Sequence, residues 1–170
     1  SKDGISPGDY CVQTSLGKMS DLNEKLCFNY DILICSDTIV VTSDGEILEK
    51  PGDASDPVQE ATRMLTKICG DSVTVLTSVV ISYQMRYFKE ASGEFVVTSS
   101  EVMACCEKAI VNFATYTQED IAAYVATNEP FDKAGGFGLQ SLGASLVRGI
   151  QGDYYAIEGF PVHAFSKLLV

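Results

Sequence analysis

The stretch from residue 31 to residue 48 restricts the fold more than any other part of the chain. Two apolar runs, Ile32-Leu33-Ile34-Cys35 and Ile39-Val40-Val41, read as strand segments separated by a polar break. Thr42-Ser43-Asp44-Gly45-Glu46 then carries the Asp-Gly signal of a tight hairpin, which returns through Ile47-Leu48. Both runs are built for burial, so the break between them, Ser36-Asp37-Thr38, puts a carboxylate where an unpaired ionised group would be costly. Asp37 therefore needs a metal, a cation or several hydrogen-bond donors. A cap or turn aspartate accounts for the same residue equally well. Ligands of open α/β sheets gather beyond the carboxyl ends of strands, and this reading puts Asp37 at such an end.

The remaining elements follow from periodicity and capping. Residues 10–28 read as a helix with Leu16, Met19, Leu22 and Leu26 on one side, weakened by Gly17. Residues 56–69 form the clearest helix: Asp56 caps it, Pro57 suits the first helical position, and Gln59 completes a capping-box spacing. Val58, Ala61, Leu65 and Ile68 make its core stripe, and Gly70 stops it. Strand-rich segments follow at 73–86, 94–99 and 102–113. Thr117 opens another helix, with Asp120 three residues on and Ile121, Tyr124 and Val125 turned inward. A strand at 146–150 and a last helix over 161–169 complete the chain. The order is α/β with an antiparallel hairpin region embedded in it. At 170 residues and 46% hydrophobic, it suits one domain over residues 1–170 with room for a sizeable core.

Composition removes several function classes. A formal net charge of −11 opposes binding to long nucleic acid, which wants a basic face, but not to a small nucleotide whose phosphates meet a few local cations. No apolar run approaches the roughly 18 residues that cross a bilayer, so no membrane partner is expected. The start, Ser1-Lys2-Asp3-Gly4, shows no secretory h-region, and the chain is expected in the cytoplasm. The six cysteines contain no C-x-x-C pair and share the chain with a single histidine, His163. They read as buried free thiols of a reducing compartment rather than a zinc site. His163 reads as an ordinary helix-start residue.

Two further segments carry chemistry. Asp132-Lys133-Ala134-Gly135-Gly136-Phe137-Gly138-Leu139-Gln140 sets a cation beside a carboxylate, then three glycines within four positions, then an amide. Glycines at that density let backbone approach a ligand and adopt positive φ. Lysine supplies a point charge for a phosphate, and glutamine can donate and accept at a base edge. A glycine-rich turn with a surface ion pair is the alternative. In Glu49-Lys50-Pro51, the proline biases Lys50 towards an extended backbone that could aim its ammonium at the Asp37 region. A solvated surface lysine is the alternative there.

Taken together, these segments resemble the Maf family of nucleoside triphosphate pyrophosphatases, from about residue 10 to residue 168. The family's A-D-T-x-V element looks like Ser36-Asp37-Thr38-Ile39-Val40, and its I-L-x-K-P element like Ile47-Leu48-Glu49-Lys50-Pro51. Its M-L-x-x-L-S-G helix end looks like Met64-Leu65-Thr66-Lys67-Ile68-Cys69-Gly70. Tyr124-Val125-Ala126-Thr127-Asn128-Glu129-Pro130, leading into the glycine-rich segment, and the ending from Ile150 to Pro161 are similar as well. The resemblance implies an elongated α/β fold with a mixed twisted sheet, flanking helices and a cleft between two lobes. It implies hydrolysis of a nucleoside triphosphate to monophosphate and pyrophosphate with a divalent metal, Mg or Mn. Asp37 takes the catalytic-base position and a share of the metal, Lys50 and Lys133 the phosphate, and Thr38 and Gln140 the positions that separate subfamilies. Thr38 looks like the dTTP/UTP class. A homodimer is compatible with this reading.

Three departures accompany the likeness. The family's opening strand and Ser-Pro-Arg-Arg phosphate loop have no counterpart here, nor does an acidic residue shortly after that loop. Val73 and Ser78 stand where a histidine and a glycine are usual. The expectation is that about 30 further residues, one strand and one helix, precede Ser1 in the full polypeptide. A catalytically weak nucleotide-binding or regulatory Maf-like protein is the alternative function, and a pyrophosphatase for other noncanonical nucleotides a third.

Overall fold

The computed structural model describes residues 4–26 and 30–170. Its first helix, α1 (Pro7–Lys25), begins where Ser6 accepts a hydrogen bond from the Asp9 amide and Pro7 supplies the first helical position. The expected final residue of this helix, Phe28, lies outside the described residues, as does Cys27. The stripe turned inward is Cys11, Ser15 and Met19 rather than the anticipated leucines; Leu16 and Leu22 are about 40% exposed. The surface beneath explains the change. Ser78 lies there, its hydroxyl 2.6 Å from that of Ser15 and donating to the Cys11 carbonyl at 2.9 Å. A polar spot on the sheet selects small polar residues on the helix that covers it.

Strand β1 (Ile32–Val41) is continuous, without the expected break, and pairs with β2 (Ile47–Leu48) through Val40 and Val41 alone. Gly45, at φ +86°, makes the intervening turn. The polar residues continue the strand because their hydroxyls find partners across it. Ser36 donates to the carbonyls of Ser78 and Gly159, and the Thr38 hydroxyl lies 2.8 Å from that of Thr77. Asp37 is consequently mid-strand, opposite Ser78, and not at a strand's carboxyl end. Alternation turns Asp37 towards α1 and its two neighbours towards the opposite face.

The sheet order is β2-β1-β3-β4-β5, with β3 at Ser72–Lys89, β4 at Glu94–Phe113 and β5 at Val147–Gly152. All four described pairings are antiparallel. Turns at 42–46 and 90–93 reverse the chain directly, and a helix between β2 and β3 brings the chain back antiparallel to β1. The strand pieces expected at 94–99 and 102–113 are one strand. Beyond Tyr83, the partner of Ile32, β3 and β4 continue as a two-stranded ribbon with Met85 and Val97 exposed.

Helix α2 (Pro57–Ile68) is capped by Asp56, which accepts from the Gln59 amide at 3.0 Å. It buries Ala61, Met64, Leu65 and Ile68; Val58, expected inside, is 55% exposed because it sits in the first turn, before the helix reaches the sheet. Those residues meet Val40, Leu48, Val75, Val111 and Phe113 in the main core. Helix α3 (Gln118–Val125) carries the expected capping box of Thr117 and Asp120 and buries Ile121, Tyr124 and Val125. The last helix stands where expected, and a short helix that was not foreseen precedes it. Helix α4 (Tyr154–Glu158) ends at Gly159 with φ +104°, and α5 (Val162–Lys167) follows Pro161. His163 is an exposed residue of α5.

Candidate active site

Helix α1 and strand β1 set the first part of the site. From the stripe of Cys11 and Ser15, one further turn reaches Lys18, whose ammonium lies 2.5 Å from Asp37 Oδ1 and 3.1 Å from the Ser36 carbonyl. The Asp37 side chain is 13% exposed, so this cation answers the demand that a carboxylate in an apolar strand makes. The Cys11 thiol adds a contact at 3.3 Å to the Asp37 carbonyl.

The second part comes from 3₁₀ turns. Lys50 has the extended backbone that Pro51 imposes, at φ −83° and ψ 128°, and Pro51 opens a turn of three residues. Gly135 donates to the Glu49 carbonyl at 3.0 Å, which ties the glycine-rich segment to the strand end carrying Lys50. Phe137 anchors the segment in the core, edge-on to Phe113 at 4.8 Å. Glu129 clasps the other side. It accepts from the Gly143 amide at 3.1 Å, the Leu142 amide at 3.2 Å and the Tyr124 hydroxyl at 2.9 Å. Burial pushes the Glu129 carboxyl up, but these donors, with Ser141, bring it below its ordinary range. Burial, seconded by Glu129, holds the Tyr124 phenol up as a neutral donor.

Lys133 pairs with Asp132 at 2.8 Å. That ammonium, with Lys50 as a smaller contributor, holds the exposed Asp132 carboxyl below its usual range. A Cβ on Gly138 would fall 2.7 Å from Lys133 Cε and 2.9 Å from Cδ, so the lysine stem lies directly across that glycine. The displaced atoms are the far end of a flexible side chain. Gly138→Ala should therefore preserve the melting temperature to within a few degrees while shifting the Lys133 ammonium. The expected result is several-fold weaker binding of inorganic pyrophosphate with little loss of stability. Unchanged binding would show that the aim of Lys133 is immaterial.

These parts meet around one cavity of about 220 Å³. Asp37, Thr38, Lys50, Lys133 and Gln140 all line it, so the structure brings together every residue singled out from the sequence. A second hollow of about 260 Å³, reaching Tyr10 and Thr14, shares Lys18, Asp37, Thr38 and Lys50 with the first. Two charged lining residues were not anticipated, Lys18 and Glu158. Neither had a legible signal, because the sheet beneath α1 selects the face that carries Lys18 and α4 was not foreseen.

Among the described residues, no group of three or more His, Cys, Asp or Glu could enclose a metal ion. Asp37 offers one carboxylate, with Oδ1 already held by Lys18. That donor set does not fit an all-protein cage. It fits Mg²⁺ or Mn²⁺ in the manner of cations that take one or two carboxylates and complete their shell with substrate phosphates and water.

Sequence comparison gives the arrangement its relatives. A family profile described as Maf-like protein matches residues 2–170. The chain belongs to the Maf-like family. The dTTP/UTP pyrophosphatases of Shigella boydii serotype 4 (strain Sb227) and Escherichia coli (strain K12) are each 40% identical to it over 134 residues, 79% of this chain and 58% of the relative. A nucleoside triphosphate pyrophosphatase of Shigella flexneri is 37% identical over 139 residues, 82% of this chain and 61% of that protein. The chain thus spans less than two thirds of the length of the curated Maf-like relatives it matches. No helix among its described residues is long and apolar enough to cross a membrane.

Proposed function

We propose that this Maf-like chain hydrolyses dTTP and UTP to the monophosphate and pyrophosphate. The observation that carries the reading is the convergence of Lys18, Lys50 and Lys133, three of only 12 Lys and Arg in a chain of net charge −11, on the cavity that Asp37 lines. Such a gathering of ammonium groups suits a triphosphate. The names and 40% identity of the two dTTP/UTP pyrophosphatases support the choice of base, as do Thr38 and Gln140 in the same wall.

In this mechanism Lys18 takes Oδ1 of Asp37 and fixes the carboxylate's direction, and Oδ2, with only a long 3.9 Å contact from the Cys11 thiol, receives the water. Asp37 accepts the water proton as the oxygen attacks phosphorus, and the bond between the α- and β-phosphates breaks. Lys50 and Lys133 hold the phosphate oxygens and meet the charge that accumulates on the departing pyrophosphate. Asp37 would hold a divalent cation, which would supply Lewis-acid polarisation of the phosphoryl oxygens. Phe137, Val40 and Val75 give the cavity an apolar wall that limits competing water. A cytoplasmic setting is part of the proposal, supported by the five free cysteines among the described residues.

A panel of dTTP, UTP, ATP and GTP, each with Mg²⁺ or Mn²⁺, tests it by pyrophosphate release. Faster turnover of dTTP and UTP is expected. A purine preference, or release of single phosphate, would remove the assignment. Tight triphosphate binding without turnover would turn the reading to a nucleotide-binding Maf-like protein.

A further inference from the structure

The phosphoryl chemistry proposed above gives no cysteine a step, yet two of them meet across the α1–sheet interface. Cys11 is fully buried on α1, and Cys106 is an exposed residue of β4. Cys106 pairs in register with Ser78, so the two side chains share the sheet face that α1 covers. The Cys11 sulfur lies 3.4 Å from the hydroxyl of Ser78, the residue directly opposite Cys106. A Cβ at Gly8, one helical turn before Cys11, would stand 4.0 Å from the Cys106 sulfur. The first turns of α1 therefore lie against Cys106, an exposed residue, with Cys11 buried behind it.

We propose that Cys11 and Cys106 form a reversible disulfide when the protein meets a hydroperoxide. One sulfur, as thiolate, attacks the peroxide oxygen; the O–O bond breaks, water leaves after protonation, and a sulfenic acid remains. The second sulfur attacks the sulfenic sulfur, the S–O bond breaks, and the released hydroxide takes up the second thiol's proton as water. Two thiols and one hydrogen peroxide thus give one disulfide and two waters. Closure consumes the Cys11 S–H now directed at the Asp37 carbonyl and clamps α1, with Lys18 two turns further on, to β4. The inference stands on thiol placement and holds whether or not the chain is a pyrophosphatase.

The test treats the reduced chain with equimolar hydrogen peroxide, blocks remaining thiols by alkylation, and maps peptides without reduction. A linked Cys11–Cys106 peptide should be the main product, with an intact mass lower by two hydrogens and full return on adding dithiothreitol. The link closes a long loop, so Tm should rise by roughly 5 °C or more in the oxidised form. Cys106→Ser, at an exposed position, should abolish both effects and avoids the folding risk of altering buried Cys11. Sulfinic acid accumulating at Cys106, pairing of Cys106 with another cysteine or a second chain, or full alkylation of Cys11 after unfolding would each overturn the proposal.

Discussion

Asp37→Asn should leave the fold intact and lower turnover by roughly 10²–10⁴-fold, the scale set by loss of a positioned acid–base group. Asparagine is close to isosteric and can still accept from Lys18, which also keeps its 3.1 Å contact with the Ser36 carbonyl. Because that lysine is 48% exposed, water solvates the ammonium once its carboxylate partner is gone, and the stability change should stay within about 1 kcal/mol. What asparagine cannot do is take a proton from water. Circular dichroism and thermal melting, run beside steady-state pyrophosphate release, separate the two effects. Near-normal turnover with an unchanged spectrum would reduce Asp37 to a structural partner of Lys18.

Gly135→Ala should lower stability substantially, because a methyl there is opposed by both the backbone and the core. The residue sits at φ +70°, and a Cβ there would fall 2.9–3.1 Å from the three branched carbons of Val40, a side chain that is 1% exposed in the main core. Backbone strain and overpacking act together, and a loss of about 2–4 kcal/mol is expected. For a chain of this size that lowers Tm by roughly 5–15 °C. The same movement would loosen the bond from the Gly135 amide to the Glu49 carbonyl and so release Lys50 from Lys133. Triphosphate binding should weaken even below the new Tm. A melting temperature within a degree or two of the parent would show that Val40 yields freely.

The contrast with Gly138→Ala shows what could and could not be read from the residues alone. Three glycines within four positions announced close backbone approach, but not that one meets a fixed core valine and another a movable lysine stem. The same holds for Ser36-Asp37-Thr38. Their polarity looked like a strand break, whereas partners on two other segments, at Thr77 and Ser78 of β3 and at Gly159, let the strand run on. Local signals with their own partners nearby were legible: the Asp56 cap, the Thr117–Asp120 box and the Gly45 turn all stand where sequence put them. The burial stripe of α1 was not, because the surface that selects it lies on a strand about sixty residues away, a separation typical of sheet contacts. The five site residues were found through a family resemblance, and the cavity lends that choice a geometry. Lys18 needed the fold.

The ribbon that β3 and β4 form beyond Tyr83 divides the molecule into parts of unequal persistence. Its rungs have little strand support besides each other: the Gln84 amide donates to the Asp31 carbonyl and Arg86 pairs with Asp31, but β1 pairs no further than Tyr83 and β5 only from Ala109 onward. A two-stranded ribbon alone is marginal in water. It can therefore open and reclose many times during one lifetime of the folded core, while the rungs at Thr77 and Ser78, flanked by β1 and covered by helices on both faces, stay shut. Opening at the 90–93 turn would expose the chain to a protease well away from the lysine-lined cavity. A nick there would leave two polypeptides that still hold each other through the inner ladder, so electrophoresis could report a broken chain where the pocket is whole.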